Sequence, residues 1–337
     1  MPPTPGALAN TASTPANTTV GVCVTTYNQS RFIEATLASV FAQTRQPDEI
    51  VVVDDGSTDD TASVLEKYVP RIRVSRQANS GVARARNRAV RESTCDLIAL
   101  LDGDDLWMPE KIERCMDAAA RAGGARVVVH DIETVSGDAT QTLKRHPMRD
   151  SILHSTGLEP DGLFDAWGAL VTGNFVWTTS QVVIDRRLYL DVGLSDPQFP
   201  VGSDYDLYLR LAERTPFVIV PDVLTRWRQH EQSASGVSQE RWLNWTLDIA
   251  KVLQVRAAAA DPEHVEVLRA AATKSVSNLV TELYRREDHW GARRTAMSLF
   301  RVAAECRSPR SAALAVAMLV PPRVRRVVGG LTGIRVS

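Results

Sequence analysis

Short β-branched runs alternate with segments of helical periodicity over the first 130 residues of the chain. Buried strands of a parallel sheet read as nearly continuous apolar runs, so each run predicts a strand. The runs are TVGVCVTT (19–26), EIVVVDD (49–55), IRVS (72–75), DLIALLD (96–102) and RVVVH (126–130). This alternation predicts a Rossmann-like α/β fold with a mostly parallel sheet flanked by helices.

Helical signals fill the gaps between these strands: apolar residues recur at helical spacing in the first two gaps, and the third is rich in Ala and Arg. The predicted helices begin after the N-cap candidate Ser30, after Ser57–Thr58, near Val82 and at Pro109, and the last ends at Gly123–Gly124. Serine is a favourable N-cap, proline is favoured at the first helical position, and glycine commonly ends a helix. The helical signals therefore agree with the strand pattern.

The pattern divides the chain into three parts. Residues 1–18, rich in Pro, Thr, Ala and Asn, are predicted to be a disordered lead-in, because this composition offers little apolar surface to bury. Residues 19–238 form the α/β domain. Residues 239–337 are rich in Ala, Leu, Val and Arg with few turn signals, and they predict a helical C-terminal extension.

Composition narrows the class of protein. The formal net charge is −1, so no nucleic-acid partner is expected. The four cysteines lie far apart without metal or disulfide spacing, which indicates reduced core thiols in a reducing, cytoplasmic compartment. The N-terminal segment lacks the basic and then apolar order of a signal peptide, and no apolar run reaches the about 18 residues that span a membrane.

The end of the chain offers one membrane hypothesis. Within residues 311–337, the apolar run AALAVAMLV precedes Arg323, Arg325 and Arg326, a composition seen in helices that lie on a membrane surface. A buried helix followed by a solvated tail fits the same residues. The two interpretations are a cytoplasmic protein and a cytoplasmic protein held peripherally at the inner face of the membrane.

Polar clusters follow four of the predicted strands, at the points where the strands end. They are TTYN after the first strand, DDGSTDD after the second, QANSG after the third and DGDD after the fourth. Ligands of open parallel sheets bind at the carboxyl ends of the strands, so these loops should face one crevice. The sequence contains neither G-x-G-x-x-G after the first strand nor G-x-x-x-x-G-K-[ST], which excludes a dinucleotide fingerprint and a Walker loop.

Asp102, Asp104 and Asp105 place three like charges in the stretch LLDGDDLWMPE, which is unfavourable unless a positive group shares the site. Asp102 and Asp104, two residues apart, project to the same side of an extended backbone. Such carboxylates suit Mg²⁺ or Mn²⁺, which take further ligands from water and substrate phosphates. A plain Asp-Gly turn with a helix cap fits the same residues. The four-loop context favours the metal.

Six segments resemble, in order and spacing, the family 2 glycosyltransferases with the GT-A fold. They are CVTTYNQSRFIEATLASVFAQT, EIVVVDDGSTDDT, NSGVARARN, LIALLDGDDLWMPEKI, GSDYDLYLRLA and TRWRQHEQSAS. The resemblance runs from residue 19 to residue 236 and leaves the C-terminal extension uncovered. It implies a nucleotide-binding half at 19–130 and an acceptor half at 131–238.

The resemblance implies a site for the nucleotide of a sugar donor. The matching residues are Thr25, Tyr27, Asp55, Arg84, Arg86 and Asp102, with Arg228 beside the leaving group. A carboxylate such as Asp55 can accept the imide N–H of uracil or thymine, which favours a UDP- or dTDP-sugar. The segment ARARN offers two arginines where the family has one, so Arg84 and Arg86 remain alternatives. Asp55 also fits helix capping, and Tyr27 fits loop packing.

The resemblance further implies a metal site, a catalytic base and acceptor contacts. The matching metal ligands are Asp104, Asp105 and His230, and the base is Asp204 with Asp206 as its fallback. Trp107 and Trp177 are the candidate acceptor contacts, since an aromatic ring can stack on a sugar. Many relatives have Glu-Asp where this chain has Ser203-Asp204, so Asp204 would act alone. Three alternatives remain open: Asp204 as a helix cap, Trp107 as a core residue and His230 as an ordinary surface histidine.

The implied activity is metal-dependent, inverting transfer of a sugar from a nucleotide diphosphate to an acceptor hydroxyl. A metal-neutralised diphosphate needs no protonation, so one carboxylate base suffices. The expected acceptor is a glycan, a lipid-linked saccharide or a small molecule, in the assembly of cell-surface glycans. The alternatives are a non-catalytic nucleotide-sugar binder and a sugar nucleotidyltransferase. The segment TTYNQS argues against the latter, because those enzymes open with a Gly-rich loop.

Overall fold

The fold is built on one mixed sheet with helices on its faces. The computed structural model describes residues 18–156, 162–231, 233 and 239–285. The strands are β1 Val20–Thr26, β2 Glu49–Asp54, β3 Arg73–Arg76, β4 Leu97–Asp102, β5 Leu106–Trp107, β6 Val127–Ser136, β7 Thr142–His146, β8 Leu163–Phe164, β9 Val182–Asp185 and β10 Phe217–Gln229. The helices are α1 Ile33–Phe41, α2 Thr61–Glu66, α3 Val82–Glu92, α4 Lys111–Arg121, α5 Met148–Thr156, α6 Ala166–Thr172, α7 Arg186–Asp191, α8 Ser203–Ala212, α9 Gln239–Ala259 and α10 Pro262–Arg285, with a 3₁₀ turn at Thr179–Gln181.

The sheet has a parallel half and a mixed half. Its order is β3-β2-β1-β4-β9-β6-β10-β5, with β7 beside β6 and β8 beside β10. Strands β1 to β4 are parallel to their neighbours within this group, and β10 is parallel to β6. Strand β9 runs antiparallel between β4 and β6. The predicted α/β fold with a mostly parallel sheet is confirmed.

The predicted strands are all present, and β6 is longer than its sequence signal. The apolar run ended at His130, whereas β6 continues to Ser136. The continuation contains the buried polar residues Asp131, Glu133 and Thr134, which hid the strand from a hydrophobicity pattern. The prediction that Ser30 caps α1 is wrong: α1 begins at Ile33, and the Ser30 N–H donates instead to Asp59 Oδ2, 3.0 Å away.

The chain divides by its internal contacts into two compact units, Met1–Gly236 and Val237–Ser337. In the second unit, α9 and α10 pack against each other. Most of the predicted lead-in and the whole segment 311–337 lie outside the described residues. Among the helices that the structure describes, none is long and apolar enough to cross a membrane.

The core of the first unit lies between the parallel strands and the helices that cover them. Val22, Val24 and Leu101 of the sheet pack with Leu37 of α1 and Ile112 of α4. Burying such side chains contributes about 1.5–3 kcal/mol each relative to leaving them exposed. The thiols of Cys23, Cys95 and Cys115 are buried and free, as predicted, whereas Cys306 lies outside the described residues.

The register of β1 brings the ends of three strands together. Thr25 lies beside Asp102 of β4, and Thr26 lies beside Asp54 of β2. All three strands run in the same direction, so the loops that follow them leave the sheet at one edge. The strand order thus produces the crevice that the polar clusters predicted.

Lys111 is a charged residue inside this core. Its side chain is fully buried, and its Nζ lies 3.5 Å from the centroid of the Trp107 ring. Within the described ranges, Nζ has no hydrogen-bond partner. Burial lowers the pKa of Lys111 to about 7, because a charge away from water is penalised, and the aromatic face offsets part of that penalty.

We expect Lys111→Met to flatten the dependence of stability on pH. In the wild type the unfolded chain binds a proton at Lys111 up to a pH of about 10.4, whereas the folded chain releases it near 7. The free energy of unfolding should therefore rise with pH between these values, by up to about 1.4 kcal/mol per unit. Urea unfolding between pH 7 and 9 measures this slope. The exposed Lys67→Met is the control, and an unchanged slope in Lys111→Met contradicts the assignment.

Candidate active site

The loops after β1 and β2 are joined by short hydrogen bonds. Asn28 donates its N–H to Ser57 Oγ at 2.9 Å, and its Oδ1 accepts the N–H of Thr58 at 2.7 Å. Gly56 adopts a φ of +81°, and a Cβ there would lie 2.7 Å from the backbone nitrogen of Asn79. Only glycine fits this contact, because the clash is with backbone and not with a movable side chain. The second loop therefore packs closely against the third.

Asp55 organises the third loop. Its carboxylate accepts from Gln77 Nε2 at 2.8 Å and from the backbone N–H groups of Ser80 at 3.0 Å and Gly81 at 2.8 Å. The last two precede α3, so Asp55 holds the start of that helix. The structure shows the capping alternative directly, and contact of Asp55 with a nucleobase remains a prediction.

The predicted residues of the first strand differ in accessibility. Tyr27 is 45% exposed at the rim of the crevice, where its ring is free to stack on a flat ligand. Thr25 is buried, and its Oγ1 lies 3.4 Å from Asp102 Oδ1. Thr25 thus acts on the crevice through Asp102, whereas Tyr27 faces it directly.

The two arginines of α3 point in different directions. Arg84 is exposed, and its Nη1 donates to the carbonyl of Ser80 at 3.0 Å. Arg86 is buried, and its Nη2 lies 3.2 Å from Asp102 Oδ1 and 3.0 Å from Thr179 Oγ1. Of the two alternatives, the structure places Arg86 in the crevice and Arg84 on the helix surface.

The DGDD loop, residues 102–105, turns sharply at Gly103. A Cβ at this glycine would lie 2.9 Å from Thr26 Cβ and in clash with Gln29, so a side chain there would displace the first loop. The turn directs the carboxylates of Asp102 and Asp104 to separate partners. Asp102 pairs with Arg86, and Asp104 Oδ2 lies 3.0 Å from His230 Nε2.

Asp105 is a structural carboxylate. It is 1% exposed, and it accepts from Thr178 Oγ1 at 3.1 Å, Ser180 Oγ at 2.6 Å and the backbone N–H of Arg228 at 3.1 Å. Burial, with the nearby charges of Asp104 and Asp102, raises its pKa well above the usual range. The expectation that Asp105 is a metal ligand does not fit this geometry, because both oxygens already serve the protein.

The ring of Phe32 supports two side chains at the end of β10, those of Arg228 and His230. The ring centroids of Phe32 and His230 are 4.3 Å apart, and Arg228 Cζ lies 5.3 Å from the Phe32 centroid. Arg228 is buried, which lowers its pKa, while Asp105 and Asp104 act in the opposite direction. Its Nε has no partner among the residues that are described. His230 is not an ordinary surface histidine, because it contacts both Asp104 and a buried ring.

Asp204 lies in the first turn of α8, which begins at Ser203. Its Oδ1 accepts the backbone N–H of Tyr205 at 2.7 Å. Burial raises the pKa of Asp204 to about 6, Arg86 opposes this shift, and Asp102 adds to it. The fallback base Asp206 does not fit a catalytic role, because it is fully buried and its Oδ2 lies 2.6 Å from Arg210 Nη2.

The two predicted acceptor tryptophans have different environments. Trp107 is 4% exposed, and its Nε1 donates to the carbonyl of Ser180 at 2.9 Å. A ring in the core cannot stack on a sugar, so the structure corrects this prediction in favour of the core alternative. Trp177 is partly exposed, and its ring lies 5.0 Å from that of His146. Its acceptor role remains a prediction.

A cleft of about 860 Å³ opens beside His230. Its walls come from the β1–α1 loop, the β6–β7 turn and the end of β10, with Phe32, Ser136 and Glu231 among the lining residues. Most of the lining residues are polar. His230, which lines the cleft, also contacts Asp104 of the DGDD loop.

The hydroxyl residues Thr178, Thr179 and Ser180 also line the site and were not predicted from the sequence. The stretch FVWTTSQVVI reads as extended and apolar, although three hydroxyl groups in a buried run need hydrogen-bond partners. In the structure those partners are carboxylates, since Thr179 Oγ1 donates to Asp102 Oδ2 at 3.0 Å and Ser180 Oγ donates to Asp105. The three consecutive hydroxyls were the available signal.

The residues of the site offer only a partial set of ligands for a hard divalent cation. Within residues 18–156, 162–231, 233 and 239–285, no group of three or more His, Cys, Asp or Glu residues surrounds a common point. Asp104 and His230 are nevertheless in contact and offer two ligands. Mg²⁺ often takes only one or two protein ligands and completes its shell with water and phosphate. The residues therefore fit a metal that is shared with a phosphorylated ligand.

The position of this crevice, at the carboxyl edge of a mostly parallel sheet and lined by the DGDD loop, defines the class of fold as GT-A. The family profile described as Glycosyl transferase family 2 matches residues 21–176. Residues 21–176 therefore match the family 2 glycosyltransferase domain that the sequence resemblance indicated.

Two curated relatives and one solved structure are similar to the chain. The chain is 33% identical over 123 residues to the uncharacterized glycosyltransferase alr2836 of Nostoc sp. PCC 7120, covering 35% of this chain and 38% of that protein. It is 29% identical over 205 residues to the chondroitin synthase of Escherichia coli, covering 59% and 27%. These matches span less than half of either relative. The crystal structure of S. aureus TarS 1-349 in complex with UDP has the same fold, with a TM-score of 0.62, 19% identity and coverage of 95% of this chain and 93% of that one.

We expect Asp105→Asn to destabilise the protein more than Asp104→Asn. The asparagine would present an N–H₂ group to the hydroxyl and N–H donors around Asp105, leaving buried donors unpaired at a cost of about 1–3 kcal/mol. Asp104 is partly exposed and contacts one partner, so its change should cost less than about 1 kcal/mol. Urea unfolding at pH 7 measures both values. Equal losses in the two variants contradict the structural assignment of Asp105.

Proposed function

We propose that the protein is a metal-dependent, inverting glycosyltransferase that moves a sugar from a UDP- or dTDP-sugar to an acceptor hydroxyl. The observation that carries this proposal is the position of Asp204, a carboxylate with a pKa of about 6 in the field of Arg86 and Asp102. A base with a pKa near the working pH is suited to accept a proton. Inversion is implied by the family.

The donor nucleotide is proposed to occupy the crevice between the first and fourth loops. Tyr27 offers an exposed ring for the base, and Arg86 holds Asp102 in place beside it. The UDP complex of S. aureus TarS supports a uridine donor for a chain of the same fold. Asp55 and Arg84 are assigned lesser roles, because the protein itself occupies the Asp55 carboxylate and Arg84 faces away.

Asp104 and His230 are proposed to hold Mn²⁺ or Mg²⁺ together with the donor diphosphate. Such a metal, when bound, neutralises the charge that develops on the leaving diphosphate. Arg228 lies close enough to Asp104 and Asp105 to interact with their charges, and it is proposed to stabilise the same leaving group. A neutral imidazole is a common metal ligand, and the ring of Phe32 holds His230 in position.

Asp204 is proposed to take the proton of the acceptor hydroxyl as that oxygen attacks the anomeric carbon. The proposed acceptor class draws on the relatives. The chondroitin synthase of E. coli carries a match over 205 residues, which supports a saccharide acceptor in cell-surface polysaccharide assembly. Trp177 and the polar cleft beside His230 are the proposed places for acceptor contacts.

We expect Asp204→Asn to reduce kcat by about 10²–10⁴-fold while leaving donor affinity within about twofold. The wild-type kcat/KM should rise tenfold per pH unit below about 6 and level off above it, because the carboxylate must be deprotonated. The amide introduced by the substitution does not titrate, so that acidic limb should disappear from the residual rate of the variant. The measurement is release of nucleoside diphosphate against pH. A variant with near-normal kcat would remove Asp204 from the reaction.

We expect UDP to raise the unfolding temperature strongly only when Mn²⁺ or Mg²⁺ is present. In Asp104→Ala and His230→Ala the metal-dependent part of the shift should be lost, because each removes one of two protein ligands. Thermal unfolding with UDP, dTDP and a nucleotide of another base, each with metal and with chelator, measures this. Asp117→Ala, on the exposed face of α4, is a matched control. A UDP shift that chelator leaves unchanged would contradict a metal role.

A further inference from the structure

Three consecutive hydroxyl residues, Thr178 to Ser180, lie between the fourth loop and the end of β10. The 3₁₀ turn that carries them is closed by a capping box, in which Gln181 accepts the backbone N–H of Thr178 at 3.1 Å and Thr178 accepts that of Ser180 at 3.2 Å. Gln181 Nε2 also donates to the carbonyl of His130 at 3.0 Å. The turn is therefore fixed to the sheet before its hydroxyls reach the site.

The hydroxyl of Thr179 closes a triangle with two proposed donor-site residues. It donates to Asp102 Oδ2 at 3.0 Å and accepts from Arg86 Nη2 at 3.0 Å, while the same Nη2 contacts Asp102 Oδ1 at 3.2 Å. Asp102 is 29% exposed along its side chain, whereas Arg86 is buried. Without the hydroxyl, Asp102 Oδ1 would keep its contacts with Arg86 and Thr25, whereas Oδ2 would lose the donor that fixes its direction.

The hydroxyl of Ser180 makes a second bridge within the same loop. It accepts the backbone N–H of Asp102 at 3.0 Å and donates to Asp105 Oδ2 at 2.6 Å. A hydroxyl group has one hydrogen to donate. In Thr179 and in Ser180 that hydrogen is donated to a carboxylate, and the hydroxyl oxygen accepts a hydrogen bond from a nitrogen. The two bridges thus fix the backbone and the side chain of Asp102 together.

We infer that Thr179 and Ser180 are positioning residues that hold Asp102 in the orientation in which it meets the donor. The inference rests on the proposed donor role of Asp102. A positioning group orders the site before the ligand binds, so that binding does not have to do so. Removal of such a group should therefore appear mainly as weaker binding of the nucleotide. Thr179 has the more direct effect, because of the two it is the one whose hydroxyl touches the Asp102 carboxylate.

We expect Thr179→Val, which keeps the shape and removes the hydroxyl, to weaken UDP binding in the presence of Mn²⁺ by about tenfold. Thr179→Ser keeps the hydroxyl and should restore binding to within about twofold of the wild type. Thr225→Val is the matched control, because Thr225 is also buried and donates to the same turn, at the Ser180 carbonyl, 3.0 Å away. Calorimetric titration of the full chain with UDP measures all four proteins.

A double-mutant cycle in urea unfolding separates this inference from the proposed function. Thr179→Val combined with Asp102→Asn should show coupling, whereas Thr225→Val combined with Asp102→Asn should be additive. Coupling with unchanged UDP affinity in Thr179→Val overturns the positioning role and leaves the proposed function standing. A wild type that binds no nucleotide overturns the proposed function, and the cycle then still decides whether the bridge exists. Additive behaviour at Thr179 overturns the bridge itself.

Discussion

Three carboxylates within four residues are the constraint around which the site is arranged. Asp102, Asp104 and Asp105 cannot share one unscreened environment, because like charges at this distance oppose each other's ionisation. The fold gives each a different partner: a buried arginine, a histidine, and a set of hydroxyl and N–H donors. Through these contacts, the carboxylates of one loop link α3, the 3₁₀ turn and the end of β10.

The three carboxylates also differ in how accessible they are to a ligand. Asp105 lies inside the protein and fastens the end of β10, which sets the positions of Arg228 and His230. Asp102 and Asp104 keep part of their surface accessible, so they are the ones that a ligand can reach. The three acids of the motif therefore differ in three dimensions: Asp105 is buried and holds the end of β10, whereas Asp102 and Asp104 remain partly accessible.

The fold was predictable from the sequence where burial and periodicity agreed, as in the parallel strands and in α1 and α2. It was not readable where polar residues are buried, because Asp131 and Glu133 of β6 carry no apolar signal. The site shows the same division. The loop order predicted the crevice, but only side-chain direction could distinguish Arg86 from Arg84 or assign Asp105 to the interior. The hydroxyls of 178–180 were overlooked because their partners lie more than 70 residues away.

The direction of β9 has a consequence for how the chain tolerates changes in length. A strand parallel to β4 would carry its carboxyl end to the ligand edge, whereas antiparallel β9 brings the residues before it to that edge. Side chains alternate between the faces of a sheet, so a single inserted or deleted residue near Val182 would turn the hydroxyls away from the acids. Natural variation in length should therefore collect in the neighbouring loops and spare the junction before β9, even though Asp102, Asp104 and Asp105 lie in another segment.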